Sequence, residues 1–255
     1  MENTGLAETE TALELKSVTK QFGGLMAVND ITLRLGQGER RGILGPNGAG
    51  KTTLFHLITG VLPLTSGEVL MYGQDVSDWK THRRVAMGMA RTFQITSLFP
   101  RLSVMDNVIL AVQGLRKMKM VMWRPLSSFT EVFEKTEQLL TQAGFWELKD
   151  TEVRNLSHGE QRQLEIVLAL ASDPKVLLLD EPSAGLATGE SREMADFLKS
   201  LDPNISILII EHDLDVIFEV ASHISVLHYG ELLTDGPADQ IRNDPRVQEI
   251  YLGKG

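Results

Sequence analysis

Cysteine is absent from the 255 residues, which removes disulfides and Cys-ligated zinc and suits a reducing compartment. Long apolar runs are missing too. Residues 205–210, Ile-Ser-Ile-Leu-Ile-Ile, are among the longest, and a helix that spans a bilayer needs about 20. Membrane association would therefore run through a partner. No cluster of Lys or Arg stands out, and 25 basic against 34 acidic residues leave a net charge of −9. A nucleic-acid footprint is basic, so nucleic acid is not expected as the main partner. The start is acidic and polar, without the basic region and apolar core of a secretory signal, and residues 1–12 are expected to form a disordered tail. There is no internal repeat or low-complexity tract. The length suffices for one large domain with a sizeable core, expected over residues 13–255.

Against these absences stands the run Gly45-Pro46-Asn47-Gly48-Ala49-Gly50-Lys51-Thr52, which fits G-x-x-x-x-G-K-[ST] between a strand-like segment, residues 40–44, and a helix-like one ending near Gly60. A polyphosphate needs many donors at close range. Gly45, Gly48 and Gly50 let the backbone wrap tightly enough to aim successive N–H groups at one anion. The following helix N-terminus, entered through Lys51, Thr52 and Thr53, adds unpaired amides and a favourable dipole. Lys51 would reach the β- and γ-phosphates and the Thr52 hydroxyl would ligate Mg²⁺. The motif alone is shared by kinases, GTPases and transport ATPases.

Residues 13–35 alternate loosely and 68–72 add a further strand, so the N-terminal part is expected to contribute antiparallel strands. The block Val176-Leu177-Leu178-Leu179 is apolar without alternation, as a strand covered on both faces would be, and 205–210 reads the same way. Between lies a helical pattern over roughly 104–171, broken at Arg124-Pro125 and near Gly144. The expected fold is α/β: a parallel-sheet core with an inserted helical subdomain over about 95–172. Residues 224–229 and 231–234, separated by Gly230, read as a hairpin.

Asp180-Glu181 ends the buried strand, where parallel sheets present functional groups. Asp180 would hold Mg²⁺ and Glu181 would act as general base on the attacking water; alternatively the two acids favour the helix after Pro182. In Leu156-Ser157-His158-Gly159-Glu160-Gln161, Ser157 and Glu160 have capping-box spacing, with Leu164, Val167, Leu168 and Ala171 continuing at helical spacing. Read plainly this is a well-capped surface helix. Read functionally it is a second anion site, needed by a chain that already owns a cradle only if it clamps another copy's nucleotide.

The order of these motifs resembles that of the ATP-binding-cassette ATPases, over nearly the whole chain from residue 13. The resemblance implies a P-loop NTPase with a RecA-like core, and it implies ATP and Mg²⁺ as ligands. By the same resemblance Ser157, His158, Gly159, Glu160 and Gln161 form the signature that covers a partner's ATP. Gln94 would contact Mg²⁺ and the attacking water, its loop touching the membrane subunit. His212 would contact the γ-phosphate, and Phe22 would stack on adenine; as a residue met alone, Phe22 reads equally well as a packed core ring. The segments 90–94, 102–108 and 241–253 are similar to ATPase subunits of branched-chain amino acid importers and the related urea importers. That likeness implies permease partners, a second ATPase subunit, identical or a sibling, an indirect link to a periplasmic binding protein, and a place on the cytoplasmic face of the membrane. A cassette ATPase acting on nucleic acid or the ribosome is the alternative; it would show split motifs or two cassettes. Residues 117–124 read either as a permease contact or as an amphipathic helix. Two positions depart from the family's commonest pattern, His158 for glycine and Ala187 for aspartate.

Overall fold

The computed structural model describes residues 10–92, 98–114 and 130–252. Strands β1 (Thr11–Phe22) and β2 (Leu25–Gly36) form an antiparallel hairpin in which Leu13 faces Leu35 and Leu15 faces Leu33. Their alternation buries one face. β4 (Ser66–Met71) joins β1, and the two-residue β5 (Gln74–Asp75) completes a four-stranded antiparallel sheet. Because β1 begins at Thr11 and Ala12 is fully buried, the expected tail of residues 1–12 is too long at its inner end. Thr11 and Ala12 are held by pairing with a distant strand, which local polarity does not reveal.

A second sheet has six strands in the order β10-β9-β3-β8-β7-β6. Here β3 is Arg40–Leu44, β6 Met89–Arg91, β7 Val176–Asp180, β8 Ser206–Ile210, β9 His223–His228 and β10 Glu231–Pro237. All neighbours pair in parallel except β9 and β10, whose turn places Tyr229 and Gly230 at φ 49 and 82. The helices in chain order are α1 (Lys51–Ile58), α2 (Thr81–Ala86), α3 (Val104–Gly114), α4 (Thr130–Gln142), α5 (His158–Leu170), α6 (Thr188–Ser200), α7 (Leu214–Val220), α8 (Ala238–Arg242) and α9 (Pro245–Leu252).

The inner strands β9, β3, β8 and β7 of the six-stranded sheet are buried on both faces, which explains why β7 and β8 show no alternation in sequence. Leu177, Leu179, Ile207 and Ile209 pack with α3 to α7, whereas Val176, Leu178, Leu208 and Ile210 pack with α1 and the antiparallel sheet. Successive side chains of one strand thus serve two cores. The helices α3 to α5, inserted between β6 and β7, share the first of these cores with the sheet.

The helix α1 ends against a buried cation. Arg84, 1% exposed, donates to the carbonyls of Leu57 (2.8 Å) and Ile58 (2.5 Å) in its last turn and to those of Ser77 and Trp79. A guanidinium at a helix C-terminus satisfies orphan carbonyls and meets the negative end of the dipole. Burial pushes its pKa down to about 10, so it stays charged. Arg84→Met keeps the stem but strips these donors, and is expected to lower the unfolding free energy by about 2–4 kcal/mol in urea titration.

Candidate active site

Parallel pairing brings the carboxyl ends of β3, β6, β7 and β8 to one edge, and the candidate residues lie there. The loop after β3, residues 45–50, leads into α1. At Gly50 φ is 98, and a Cβ would lie 2.4 Å from the Ala27 carbonyl oxygen, so only glycine closes the loop onto β2. Lys51 is buried; its Nζ donates to the carbonyls of Gly45 (2.5 Å) and Pro46 (3.1 Å). Burial lowers its pKa, while Glu181 and Asp180 act in the opposite direction. The loop and the first turn of α1, with Asn47, Gly48 and Thr52 exposed and Thr53 half-buried, offer the free N–H groups of a helix start. That arrangement fits an anion.

Asp180, at the end of β7, has a side chain 1% exposed and paired with Arg91 Nη2 at 2.7 Å. Its Oδ1 is buried without a hydrogen-bond partner among the described residues. An orphan carboxylate oxygen beside a phosphate cradle is a group suited to a cation or its bound water. No three His, Asp or Glu converge as an all-protein cage among the described residues. Mg²⁺ here would draw on Asp180, the Thr52 hydroxyl, phosphate oxygens and water. Arg91 also lies over the Phe55 ring, 5.7 Å from its centroid.

Glu181 is held at φ 50, a conformation that costs a non-glycine residue about 1–2 kcal/mol, and its N–H donates to the Ile210 carbonyl at 2.9 Å. Strain of this kind persists where the surroundings over-determine it. The half-buried side chain is thereby set at the mouth of the β7–β8 pair. Next to it, Glu211 is fully buried and accepts from the Ser183 hydroxyl (2.7 Å), the Ser183 N–H (2.8 Å) and the amides of His212 (3.1 Å) and Asp213 (3.4 Å). Burial raises its pKa and these donors oppose the rise. One carboxyl thus ties the turn after Glu181 to the segment carrying His212, whose side chain is 59% exposed and free to face a ligand.

Phe22 ends β1, is 43% exposed, and has the Lys20 ammonium 5.0 Å from its ring centroid. The packed-core alternative does not describe it. Gln94 and residues 117–124 lie outside the described residues.

The capping box of α5 forms as its spacing predicts: Ser157 Oγ accepts from the Glu160 N–H (3.1 Å) and the Glu160 carboxylate accepts from the Ser157 N–H (2.7 Å). Ser157 and His158 are exposed, Gly159 is buried, and Gln161 donates to the Leu156 carbonyl. Among the described residues no hydrogen bond or ion pair joins residues 156–161 to the loop 45–53; in one chain they are separate. Glu190 connects the start of α5 instead to the turn after Glu181, accepting from Gly159 N–H and Ala187 N–H, both at 3.1 Å. Ala187 caps α6 without a side-chain acceptor, so Glu190 holds that turn.

Sequence reasoning assigned no role to Arg91, Glu211 or Glu190. Glu211 carried a usable signal, since an acid directly after a run of buried apolar residues, here Ile207–Ile210, is the pattern that identified Asp180. Arg91 and Glu190 matter through partners distant in sequence.

Comparison with known proteins gives concordant matches. A family model described as ABC transporter matches residues 28–184, and one described as branched-chain amino acid ATP-binding cassette transporter matches residues 231–255. The chain is 34% identical to the high-affinity branched-chain amino acid transport ATP-binding protein LivG of Escherichia coli K12, over 96% of this chain and 99% of that one. It is also 34% identical to the lipopolysaccharide export system ATP-binding protein LptB of Acidithiobacillus ferridurans, over 94% and 96%. The crystal structure of an ATP-binding cassette of an ABC transporter in its ADP conformation superposes with a TM-score of 0.83 at 28% identity, covering 96% of this chain and 99% of that one.

Removing Arg91 while keeping its volume, as in Arg91→Met, would leave Asp180 charged, buried and unpaired. The expected loss of stability is about 3–5 kcal/mol, measured by chemical denaturation; Asp180→Asn added to it should recover part of that loss.

Proposed function

This chain belongs to the ATP-binding cassette family of transporters and is one of its ATP-hydrolysing subunits; from that premise we propose that it powers import of branched-chain amino acids from the cytoplasmic face of the membrane. The observation that carries the hydrolytic roles is the convergence of Lys51, Asp180, Glu181 and His212 at one sheet edge. The cargo rests on the C-terminal segment, residues 231–255, where the matching model is the branched-chain one. Identity alone leaves cargo open, because an export ATPase is equally similar over the chain. No observation speaks for urea, and a role on nucleic acid or the ribosome is not favoured beside these transport relatives.

In this reading the backbone of residues 45–53 and the Lys51 ammonium bind the phosphates, and Phe22 offers its exposed face to adenine. Bound Mg²⁺ would neutralise phosphate charge through Thr52, Asp180 and Gln94. Glu181 accepts the proton of the attacking water, and His212 donates to the terminal phosphate. The exposed Ser157 hydroxyl at the start of α5 caps the ATP of a second ATPase subunit, identical or sibling, while the Gly159 amide is held by Glu190. Glu190 carries any shift of that cap to the turn behind Glu181 of the same chain.

The permease would dock where the core meets the helices. A groove of about 240 Å³ is lined by Val61, Val85, Met89, Ala111 and Leu168. Val61 and Val85 are 52% and 38% exposed. An almost wholly apolar groove next to Arg91 suits an apolar cytoplasmic segment of a membrane protein and lies one strand from Asp180. No helix among the described residues is long and apolar enough to cross a membrane itself. A periplasmic binding protein would act through that permease.

Glu181→Gln separates binding from chemistry. ATP should bind as before while steady-state phosphate release by the permease complex falls at least about 100-fold, the usual scale for a lost general base. Wild-type turnover would remove Glu181 from that role.

A further inference from the structure

The C-terminal segment reaches back to the phosphate loop. The Tyr251 hydroxyl, on the last turn of α9, accepts a hydrogen bond from the Gly45 N–H, while the carbonyl of that same Gly45 accepts from Lys51 Nζ. One residue of the loop is therefore gripped on its N–H by the tail and on its carbonyl by the cradle's lysine. Four residues on, the Ala49 carbonyl accepts from the Gly230 N–H in the β9–β10 turn at 3.1 Å. Between these points the chain runs so close to β9 that a Cβ on Gly45 would lie 2.5 Å from the Leu227 carbonyl oxygen. Residues 227–251 thus contact the loop at its first residue and near its end, at Ala49.

The tail is anchored well enough to impose that position. Asp244 precedes Pro245, and its carboxylate accepts from the Arg246 N–H (2.9 Å) and from the Arg246 guanidinium at 2.7 Å and 3.1 Å. An acid before a proline at the first helical position is a strong helix start. Arg246 also reaches the Leu233 carbonyl of β10 at 3.4 Å, Gln248 reaches the Arg242 carbonyl, and Val247 is 4% exposed in the core shared with Ile241.

We propose that α9 is a clasp on the nucleotide cradle, with Tyr251 as a positioning residue that fixes the Gly45 peptide and, through it, the loop conformation that binds phosphate. This rests on the reading of residues 45–53 as the ATP cradle. The Gly45 N–H stands at the strand end of the loop, so the hydroxyl braces the cradle from behind. Burial pushes the phenol up to about 12, which keeps it neutral and adds no negative charge beside an anion site. The Gly45 amide is buried, and an amide in that position left without an acceptor is unfavourable; the tail supplies the acceptor.

The test is Tyr251→Phe, which keeps the ring and removes the hydroxyl. In the nucleotide-free protein, hydrogen–deuterium exchange of the Gly45 amide should accelerate. The dissociation constant for ATP should rise about fivefold, the scale of one neutral hydrogen bond, with turnover at saturating ATP within twofold of wild type. Unchanged exchange at Gly45 would overturn the clasp whatever the ligand of the loop. Faster exchange with unchanged ATP affinity, or a lowered melting temperature as the only effect, would reduce Tyr251 to a structural contact and overturn the positioning role. Should the unsubstituted protein bind no ATP, the cradle reading fails, and the exchange measurement still decides the contact.

Discussion

The parallel pairing of β3 with β8, and of β8 with β7, is the constraint on which the rest of the molecule depends. It brings the phosphate loop, the Asp180-Glu181 pair and the Glu211-His212 segment to one edge of a sheet whose inner strands are buried on both faces. Buried charges are tolerated only when paired or hydrogen-bonded. The structure meets that demand with a few cross-links: Arg91 on Asp180, four donors on Glu211, and two backbone carbonyls on Lys51. Each also sets the direction of a group to which the proposed function gives a role on ATP. Among the described residues Asp180 Oδ1 and Arg91 Nε are both buried without a hydrogen-bond partner, and the carboxylate oxygen is where a cation or its water would bind.

Much of this was legible in the sequence, for physical reasons. The loop 45–52 is local, since glycine freedom and a helix start are written in adjacent residues. The α5 capping box is local in the same way. The apolar blocks of β7 and β8 carry the imprint of burial on both faces. What stayed hidden depends on contacts far apart in the chain. β6 is three residues long and exists because it pairs with β7; β5, of two residues, exists through β4. Thr11 and Ala12 look like the end of a polar tail until β2 and β4 claim that segment. Arg84 on Ile58, Arg91 on Asp180 and Tyr251 on Gly45 each act across 26 to 206 positions, and no local pattern announces such a partner.

The arrangement of Ser157 and Gly159 carries a further implication. The start of α5 is capped, yet Ser157 and His158 face solvent, and among the described residues no hydrogen bond or ion pair joins it to the loop 45–53. The exposed residues 47, 48 and 52 of the loop and the exposed Ser157 and His158 leave both segments open to a second subunit. Two subunits related head to tail would complete each other's sites, and Glu190 supplies the mechanical link within each chain. The groove beside Arg91 lies on the opposite flank of β6, so a permease seated there would feel changes at Asp180 through a single strand.

In the proposed function residues 45–53 form an ATP cradle whose charge is supplied by Lys51. Equilibrium titration of Mg-ATP into the Glu181→Gln protein, with and without Lys51→Met, tests it most directly. Loss of a charge-assisted contact to phosphate should weaken binding about 10- to 100-fold, and equal affinity for the two proteins would contradict the account.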